Sequence, residues 1–469
     1  MTIEKWDKIV DKVTEILKYI YVIHIILAFC ALTNETWITS LSPFLVLGLG
    51  AVVLLYRLVN FKRYLSYPFI WMYVFFVILY GITSIINIRY GFISNFKIIV
   101  WMTLQIGALY LSDAKKNKEN IFRELKNILW IIIILTTIIN CIGITMLFTN
   151  YCVFRETSSG QIYLLGIAYW GRLYGIHTDP NYGAVQTVVA IMAAIFIILK
   201  SDKIIEKIGL VVVIVCNMFH LSFSGSRTGL VSLSVGLAIF AFIYFLQRKK
   251  KMVISFACAA IAVVTVFAGS KFITTSYNYT VSIINEIKQN ESVQVPDEDP
   301  DKKDPVIIGR EEELAGDVSN RRFDLWRNSF EVFCTAPIMG ISFGNIVSYC
   351  EENLPQSYLL TNDYVVFDAF HNMFMDLLAS QGIIGTILFL IIILNSLYYL
   401  YKNRIYIAKE NQIDCAFLFS VVVSMVVSSF FVSEILYVHN QVTVFFWIMW
   451  GILMHYYYVN LRGNERQKK

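Results

Sequence analysis

TGLVSLSVGLAIFAFIYFL, residues Thr228 to Leu246, carries no Asp, Glu, Lys or Arg. A bilayer core about 30 Å thick takes about 20 mostly apolar residues of helix, because backbone groups in lipid must be satisfied within the segment itself. This stretch meets that requirement, and others like it lie near Leu17 to Thr33, Leu41 to Val59, Tyr67 to Ile88, Phe96 to Leu111, Ile128 to Phe148 and Asn181 to Leu199. Further segments follow near Ile204 to Leu221, Val253 to Ile273, Phe370 to Tyr401, Asp414 to Val432 and Tyr437 to Val459, making about twelve in all. The fold expected is therefore an all-α polytopic membrane protein. Residues 1–274 would hold transmembrane helices 1–9, residues 275–369 a large extracytoplasmic loop with short helices, and residues 370–469 helices 10–12.

Composition agrees. The 469 residues are 57% hydrophobic and only 16% charged, against about 25% charged in soluble domains, and the mean hydropathy is +0.61. A mixed-charge start without a small-residue cleavage site argues that the first apolar stretch is retained rather than removed as a signal peptide. About two thirds of the 39 basic residues fall in alternate connections, which by the positive-inside rule puts both termini in the cytoplasm. The net charge of +5 then reflects topology, and no nucleic-acid partner is implied.

Three connections face outward on this reading, around Arg155 to Pro180, Ser222 to Arg227 and Lys271 to Phe370, and they hold almost every chemically informative residue. In the first, Asp179 before Pro180 can cap the following helix; Arg172 is either a phosphate ligand or an arginine snorkelling to lipid headgroups. In the second, Ser226-Arg227 opens a helix whose N-terminus attracts anions, with the guanidinium adding a bidentate fork. The spacing of a nucleotide-binding P-loop is missing.

The third connection divides. Pro296 to Asp301 is acidic and proline-bearing and reads as a solvated segment, not a cation site. From Asn320 onward, Phe323, Trp326, Phe330 and Phe333 recur at helical spacing. They make one face of a helix lying in the membrane interface or packed on the bundle, with Arg321, Arg322 and Arg327 at headgroup level. An amphipathic linker helix is the alternative. Phe370-His371-Asn372 then opens a segment of roughly thirty residues, about 45 Å of helix, too long for a simple span and expected to bend near Gly382. His24, His220, His439 and His455 read as satisfied helix-lining residues, and His177 stays ambiguous. No CxxC or HExxH occurs, so neither metal nor cofactor is signalled. Cys334 and Cys350 are either a disulfide or unpaired small apolar residues.

GRLYGIHTDPN (171–181), SGSRTG (224–229), RFDLW (322–326) followed by APIMGISFGN (336–345), and FHNMFMDLLASQGIIG (370–385) stand in this order. The ordered set resembles the O-antigen polymerase and ligase family of bacterial envelope glycosyltransferases. The resemblance implies metal-independent transfer of a glycan from a polyprenyl-pyrophosphate carrier to an acceptor hydroxyl, at the outer face of the cytoplasmic membrane. It implies catalytic roles for Arg227, Arg322 and His371, with His371 as base, and it places Arg172, Arg321, Arg327 and Ser226 with the substrate. The acidic insertion before Arg322 is not part of the family pattern.

Guanidinium groups would neutralise the departing diphosphate. A neutral histidine, with an ordinary pKa near 6.5, would take the hydroxyl proton. Direct displacement with inversion is the simpler expectation. Partners implied are lipid-linked oligosaccharide donor and acceptor, membrane lipids, a flippase and chain-length regulators. The reading preferred is a polymerase of capsule or O-antigen repeat units. A ligase onto lipid A core, protein or cell wall is its nearest rival, and a lipid-linked oligosaccharide flippase or transporter is the rival from another class. The interiors of the apolar segments carry almost no charge and no internal repeat is found, which disfavours the transporter.

Overall fold

A computed structural model describes residues 3–113, 116, 118–158, 160–248, 250–292, 305–309, 319, 321–362 and 366–467. The acidic stretch Pro296 to Asp301 and Asn320 lie outside them. The helices are α1 (Ile3–Ala28), α2 (Trp37–Val59), α3 (Ile70–Ile86), α4 (Ile93–Leu104), α5 (Lys118–Phe148), α6 (Pro180–Lys200) and α7 (Ile204–Phe223). They continue as α8 (Arg227–Gln247), α9 (Met252–Ser292), α10 (Arg322–Thr335), α11 (Ile346–Asn353), α12 (Met373–Asn403), α13 (Gln412–Ser428) and α14 (Gln441–Gln467). Among the described residues, nine helices are long and apolar enough to cross a membrane.

All three remaining segments expected to span are helical but shorter or more polar. The first shares α1 with a charged start and stops at Ala28. The third is the 17-residue α3. The fourth is the 12-residue α4, extended by a π-helical stretch, Gln105–Tyr110. Conversely, α9 runs unbroken for 41 residues, so the chain stays helical well past residue 274.

The chain forms two compact units. One comprises Val22–Ser42 and Lys126–Val318, the other Met1–Tyr21, Pro43–Leu125 and Ser319–Lys469. In the first, α6 packs against α7 and α8, and α8 against α9. Small residues (Gly183, Ala184, Ala190, Ala193, Ala194) let neighbours approach α6, which is buried along most of its length. This unit departs from the all-α expectation by a three-stranded antiparallel sheet, β1 (Cys152–Glu156), β2 (Ile162–Ala168) and β3 (Arg172–Gly175). Its register pairs Arg155 with Tyr163 and Ala168 with Arg172. β1 and β2 are rich in β-branched, aromatic and aliphatic residues, and the backbone of Gly160 closes back on Thr157 between them.

In the second unit α12 packs against α3 and α10, and α13 against α14. The bend expected near Gly382 is a complete break: this residue has φ 58° and ψ −159°. A break inside a span strands amides and carbonyls that lipid cannot satisfy. Here the turn after α10 satisfies them. Ile341 and Ser342 donate to the carbonyls of Ala379 and Ser380 (3.0 and 2.9 Å), while Ile383 and Ile384 donate to those of Pro337 and Ile338 (2.9 and 3.3 Å). The approach is tight enough that a Cβ on Gly382 would lie 2.5 Å from the Ile338 oxygen, and one on Gly340 2.4 Å from Ser380. The motif segments APIMGIS and SQGIIG are thus two sides of one joint.

Basic residues read as topology anchors are partly buried in this unit. Lys18 is 2.8 Å from Glu124, which Lys116 also contacts. Arg57 donates to the carbonyls of Gly107 and Leu111 at 2.5 and 2.8 Å. Buried charges persist only when paired or hydrogen-bonded, so these residues also serve the packing.

Candidate functional site

In the first unit, the sheet and the two turns at the ends of α6, α7 and α8 build one arrangement. Asp179 caps α6 as its position before Pro180 predicts, accepting from the amides of Asn181 and Tyr182 at 2.7 and 3.1 Å. Arg172, only 7% exposed, donates Nε to the Ser224 carbonyl (2.9 Å) and Nη2 to Asn181 Oδ1 (2.8 Å). Its guanidinium lies over Tyr174, 5.6 Å from the ring centre. Ser226 donates to the same Asn181 oxygen at 3.2 Å and accepts from Gly229 N at 3.3 Å, capping α8. Arg172 and Ser226 therefore fix the turn from which Arg227, half-buried at the first position of α8, projects. Arg227 lines a cavity of about 330 Å³ among α7, α8 and α9.

Beneath this turn lies a buried polar network that the sequence does not announce. His177 Nε2 meets Asn140 Oδ1 at 2.9 Å, and Asn140 Nδ2 donates to Thr187 and Asn217 at 2.9 and 2.7 Å. The His220 ring is 5.0 Å from that of His177. Burial pushes His177 down to about 4, so it is a neutral ring at pH 7. Of the four histidines expected to be satisfied, His24 bonds Ser42 at 2.7 Å. His439 bonds Tyr21 at 2.8 Å and stacks on Trp101 at 3.9 Å. His455 stacks on Tyr67, with ring centres 6.5 Å apart, and reaches the Lys116 backbone, whereas His220 corrects the expectation, because both its ring nitrogens are buried without a partner among the described residues. Helical position alone does not reveal whether a ring nitrogen finds an acceptor.

In the second unit, α10 forms where the aromatic periodicity predicts, but it buries the opposite face. Leu325, Asn328, Ser329 and Val332 are inside, while Phe323 and Phe330 are 66% and 55% exposed. Ser329 Oγ donates to the Met375 carbonyl (2.9 Å) and Asn328 Oδ1 accepts from Leu359 N (3.2 Å), so the buried face is anchored by polar contacts. Arg321 precedes the helix at φ 66°. Half-exposed Arg322 begins it, 5.7 Å from the Phe431 ring centre. Arg327 is exposed and lies 3.5 Å from Glu331.

His371 also takes a left-handed backbone, φ 51°, a conformation that non-glycine residues hold only when their surroundings impose it. The imposing contacts are visible. On one side Phe370 N donates to Oδ1 of buried Asp376 at 2.8 Å. On the other, Asn372 accepts from Phe374 N and Met375 N (2.9 and 3.3 Å), and Met373 N donates to the Ser429 carbonyl at 2.8 Å. The Phe367 ring stands edge-on, 5.6 Å from the imidazole. Arg322 and Met373, two residues after His371, thus both contact the segment Ser429 to Phe431, which begins a mostly buried loop before α14.

Asp368, three residues before His371, is exposed; the carboxylate built into this turn is Asp376. Sequence reasoning missed it although it falls six residues after Phe370 in a quoted motif. An acid inside an apolar helix is the signal that identifies it. Cys334 is exposed and Cys350 buried, and neither is in a disulfide; burial raises the Cys350 thiol to about 11. Among the described residues, no three His, Cys, Asp or Glu side chains converge as metal ligands would.

The fold and these residues define a multi-pass helical membrane protein with arginines at helix starts and a histidine held in an imposed turn. Residues 210–390, from α7 into α12, match the family described as O-antigen ligase, a match that supports the O-antigen ligase/polymerase family for this part of the chain. Arg227, Arg322 and His371 fall inside the matched region; Arg172 precedes it. A protein of Haemophilus influenzae described as uncharacterized is 23% identical over 257 residues, 55% of this chain. The match spans 58% of that protein's length.

Proposed function

We propose that the protein is a membrane glycosyltransferase that polymerises oligosaccharide repeat units carried on polyprenyl pyrophosphate. The observation that carries this reading is that Arg322 and Met373, two residues after His371, contact one loop, Ser429 to Phe431, while Arg322 and His371 themselves lie in the region matched to the family. An acceptor hydroxyl attacks the anomeric carbon of the donor sugar, the bond from that carbon to the phosphate oxygen breaks, and polyprenyl diphosphate leaves. His371 takes the hydroxyl proton. Arg322 and Arg227 offset the charge developing on the diphosphate, each contact worth about 2–4 kcal/mol by comparison with other oxyanion donors.

Arg321 and Arg327 assist at headgroup level, and Arg172 and Ser226 act through the turn that presents Arg227. Displacement proceeds with inversion and without a metal. Both termini are cytoplasmic and the chemistry is extracytoplasmic, the reading that the distribution of basic residues supports. A flippase delivers donor and acceptor, and a chain-length regulator limits the product.

Purified full-length protein in liposomes, supplied with one lipid-linked repeat unit and EDTA, should yield a ladder of products. A single transfer that awaits a different acceptor would instead make it a ligase. Vectorial movement of the lipid-linked unit without a new glycosidic bond would make it a transporter.

A further inference from the structure

Helix α2 buries one narrow stripe, Val46, Gly50, Val53 and Arg57. The contact along it is close, because a Cβ on Gly50 or on Gly107 would lie 2.1 or 2.3 Å from a leucine side chain. Beside the stripe, α2, α3 and the π-helical stretch leave a groove of about 440 Å³. Its walls are apolar, with Leu54 and Leu58 supplied by α2 and Trp71, Val74 and Ile78 by α3. Leu58, Trp71, Val74 and Ile78 are 37–69% exposed, so the groove opens sideways, where a membrane helix meets hydrocarbon. From Ile70 to Ile78 the α3 wall is about 12 Å long, which suits an extended chain.

One end of the groove is polar. Arg57 and Tyr64 line it, each 6% exposed. Arg57 Nη1 donates to the Gly107 and Leu111 carbonyls, but its Nε is buried without a hydrogen-bond partner among the described residues. An idle donor on a buried cation calls for an acceptor from outside the protein. The surroundings say what charge that acceptor carries. Asp7 contacts Tyr56 and Arg63, which sets the first turns of α1 beside this end, and Asp113 also holds Arg63. Asp7, Asp113 and Glu15 are buried, whereas Lys5, Lys8, Lys12 and Lys62 are exposed. With acids turned inward and lysines outward, this surface presents positive charge, as sites for anionic lipid head groups do.

We infer that the groove is a phospholipid site, in which one acyl chain lies along α3 between Leu58 and Trp71 and the phosphoryl oxygens of an anionic head group meet Arg57 and Lys62. The chain fills the space that α2 leaves beside α3, and the head group supplies the acceptor that Arg57 lacks. None of these residues is among those proposed for glycan transfer, and the site does not rest on that reading.

The test places full-length protein in phosphatidylcholine bilayers holding a small fraction of phospholipid with brominated acyl chains, which quench tryptophan on contact. The Trp71 contribution is the part of the quenching that Trp71→Phe removes. Brominated phosphatidylglycerol should half-quench Trp71 at a mole fraction roughly tenfold lower than brominated phosphatidylcholine, as two cations at a head group would give. Lys62→Gln should narrow that preference about fivefold, the worth of one lysine at an anionic surface. Val74→Phe fills the groove and should abolish the preference. Both side chains are exposed, so neither variant opens a hole in the packing.

Equal half-quenching by the two lipids in the wild type makes the groove an ordinary place for bulk lipid and overturns the site. A preference that survives Val74→Phe places the bound lipid elsewhere, and one unchanged by Lys62→Gln removes the head-group contact; either result overturns the assignment.

Discussion

His177 makes the first unit sensitive to acid by an amount that can be worked out. Its side chain is buried, Nε2 is engaged by Asn140, and a Cβ on Gly183 would lie 2.5 Å from the ring, so no space is left for water to solvate an imidazolium. The folded-state pKa is pushed down to about 4 from an ordinary 6.5. Below pH 6.5 the unfolded chain therefore binds this proton and the folded chain does not, so stability is full above that pH and falls as pH drops toward 4. At pH 5 the loss amounts to about 2 kcal/mol. For a unit of this size, 2–4 °C per kcal/mol translates it into roughly 4–8 °C of Tm. Thermal unfolding of the full chain in one detergent at pH 7.5, 6 and 5, beside His177→Gln, isolates the term from other titrating groups. The variant should start lower at pH 7.5 and lose 4–8 °C less (roughly, by the same conversion) on acidification. Parallel curves for the two proteins would refute the reasoning, because the ring would then be hydrated or already protonated.

Further outcomes follow from the second unit. Arg322→Lys should cut turnover roughly 100-fold with donor KM little changed, because an ammonium reproduces neither the bidentate fork nor the planar approach to Phe431; radiolabel transfer from a lipid-linked donor measures it. Asp376→Ala leaves the Phe370 amide buried without an acceptor, at about 1–3 kcal/mol, and should lower kcat by about tenfold or more. Asp376→Asn, which keeps an acceptor oxygen, should recover most of the rate, and failure of that rescue would refute a positioning role. Gly382→Ala must hold φ 58° with a Cβ driven into the Ile338 carbonyl, so folded yield by fluorescence-detected gel filtration should fall, with about 1–3 kcal/mol of stability lost to the backbone alone.

What the sequence shows and hides is instructive element by element. Asp179-Pro180 as a helix start and Gly382 as a bend are local signals, set by backbone chemistry within a few residues, and both appear as read. The period of α10 is equally local, but which face is buried depends on partners about forty residues distant in sequence. The aromatic stripe suits either a helix in the interface or one packed on the bundle; Phe323 and Phe330 are exposed and Trp326 and Phe333 half-buried, the pattern of a helix lying in an interface. The sheet escaped because its strands sit in a connection between two membrane segments, where polar turns dominate the reading. The loop Ser429 to Asn440 escaped for the opposite reason: its Val432, Ile435, Leu436 and Tyr437 are buried, so it reads as the ends of two spans. It is nevertheless the segment that Arg322 and, two residues after His371, Met373 contact.

Charge in so apolar a chain has to be paid for, and the manner of compensation separates two classes of residue. Arg172 is inaccessible, with Nε and Nη2 committed to a helix-end carbonyl and a neighbouring asparagine, and Ser226 caps the very helix it precedes. Removing either would disturb its neighbours before it disturbed any substrate. Arg227, Arg322 and His371 are half-buried instead, each at the start of a helix or in the turn before one, where the rigid partners are backbone and neighbouring side chains. On the function proposed above, residues that must meet diphosphate charge only as a bond breaks need to be positioned in advance without being fully desolvated. That requirement favours short reach from a fixed helix end over a long side chain on a loop. It explains why motif residues cluster where helices begin, and why the polar scaffolding beneath them, Asn140 with His177 and Asp376 with the Phe370 amide, is buried.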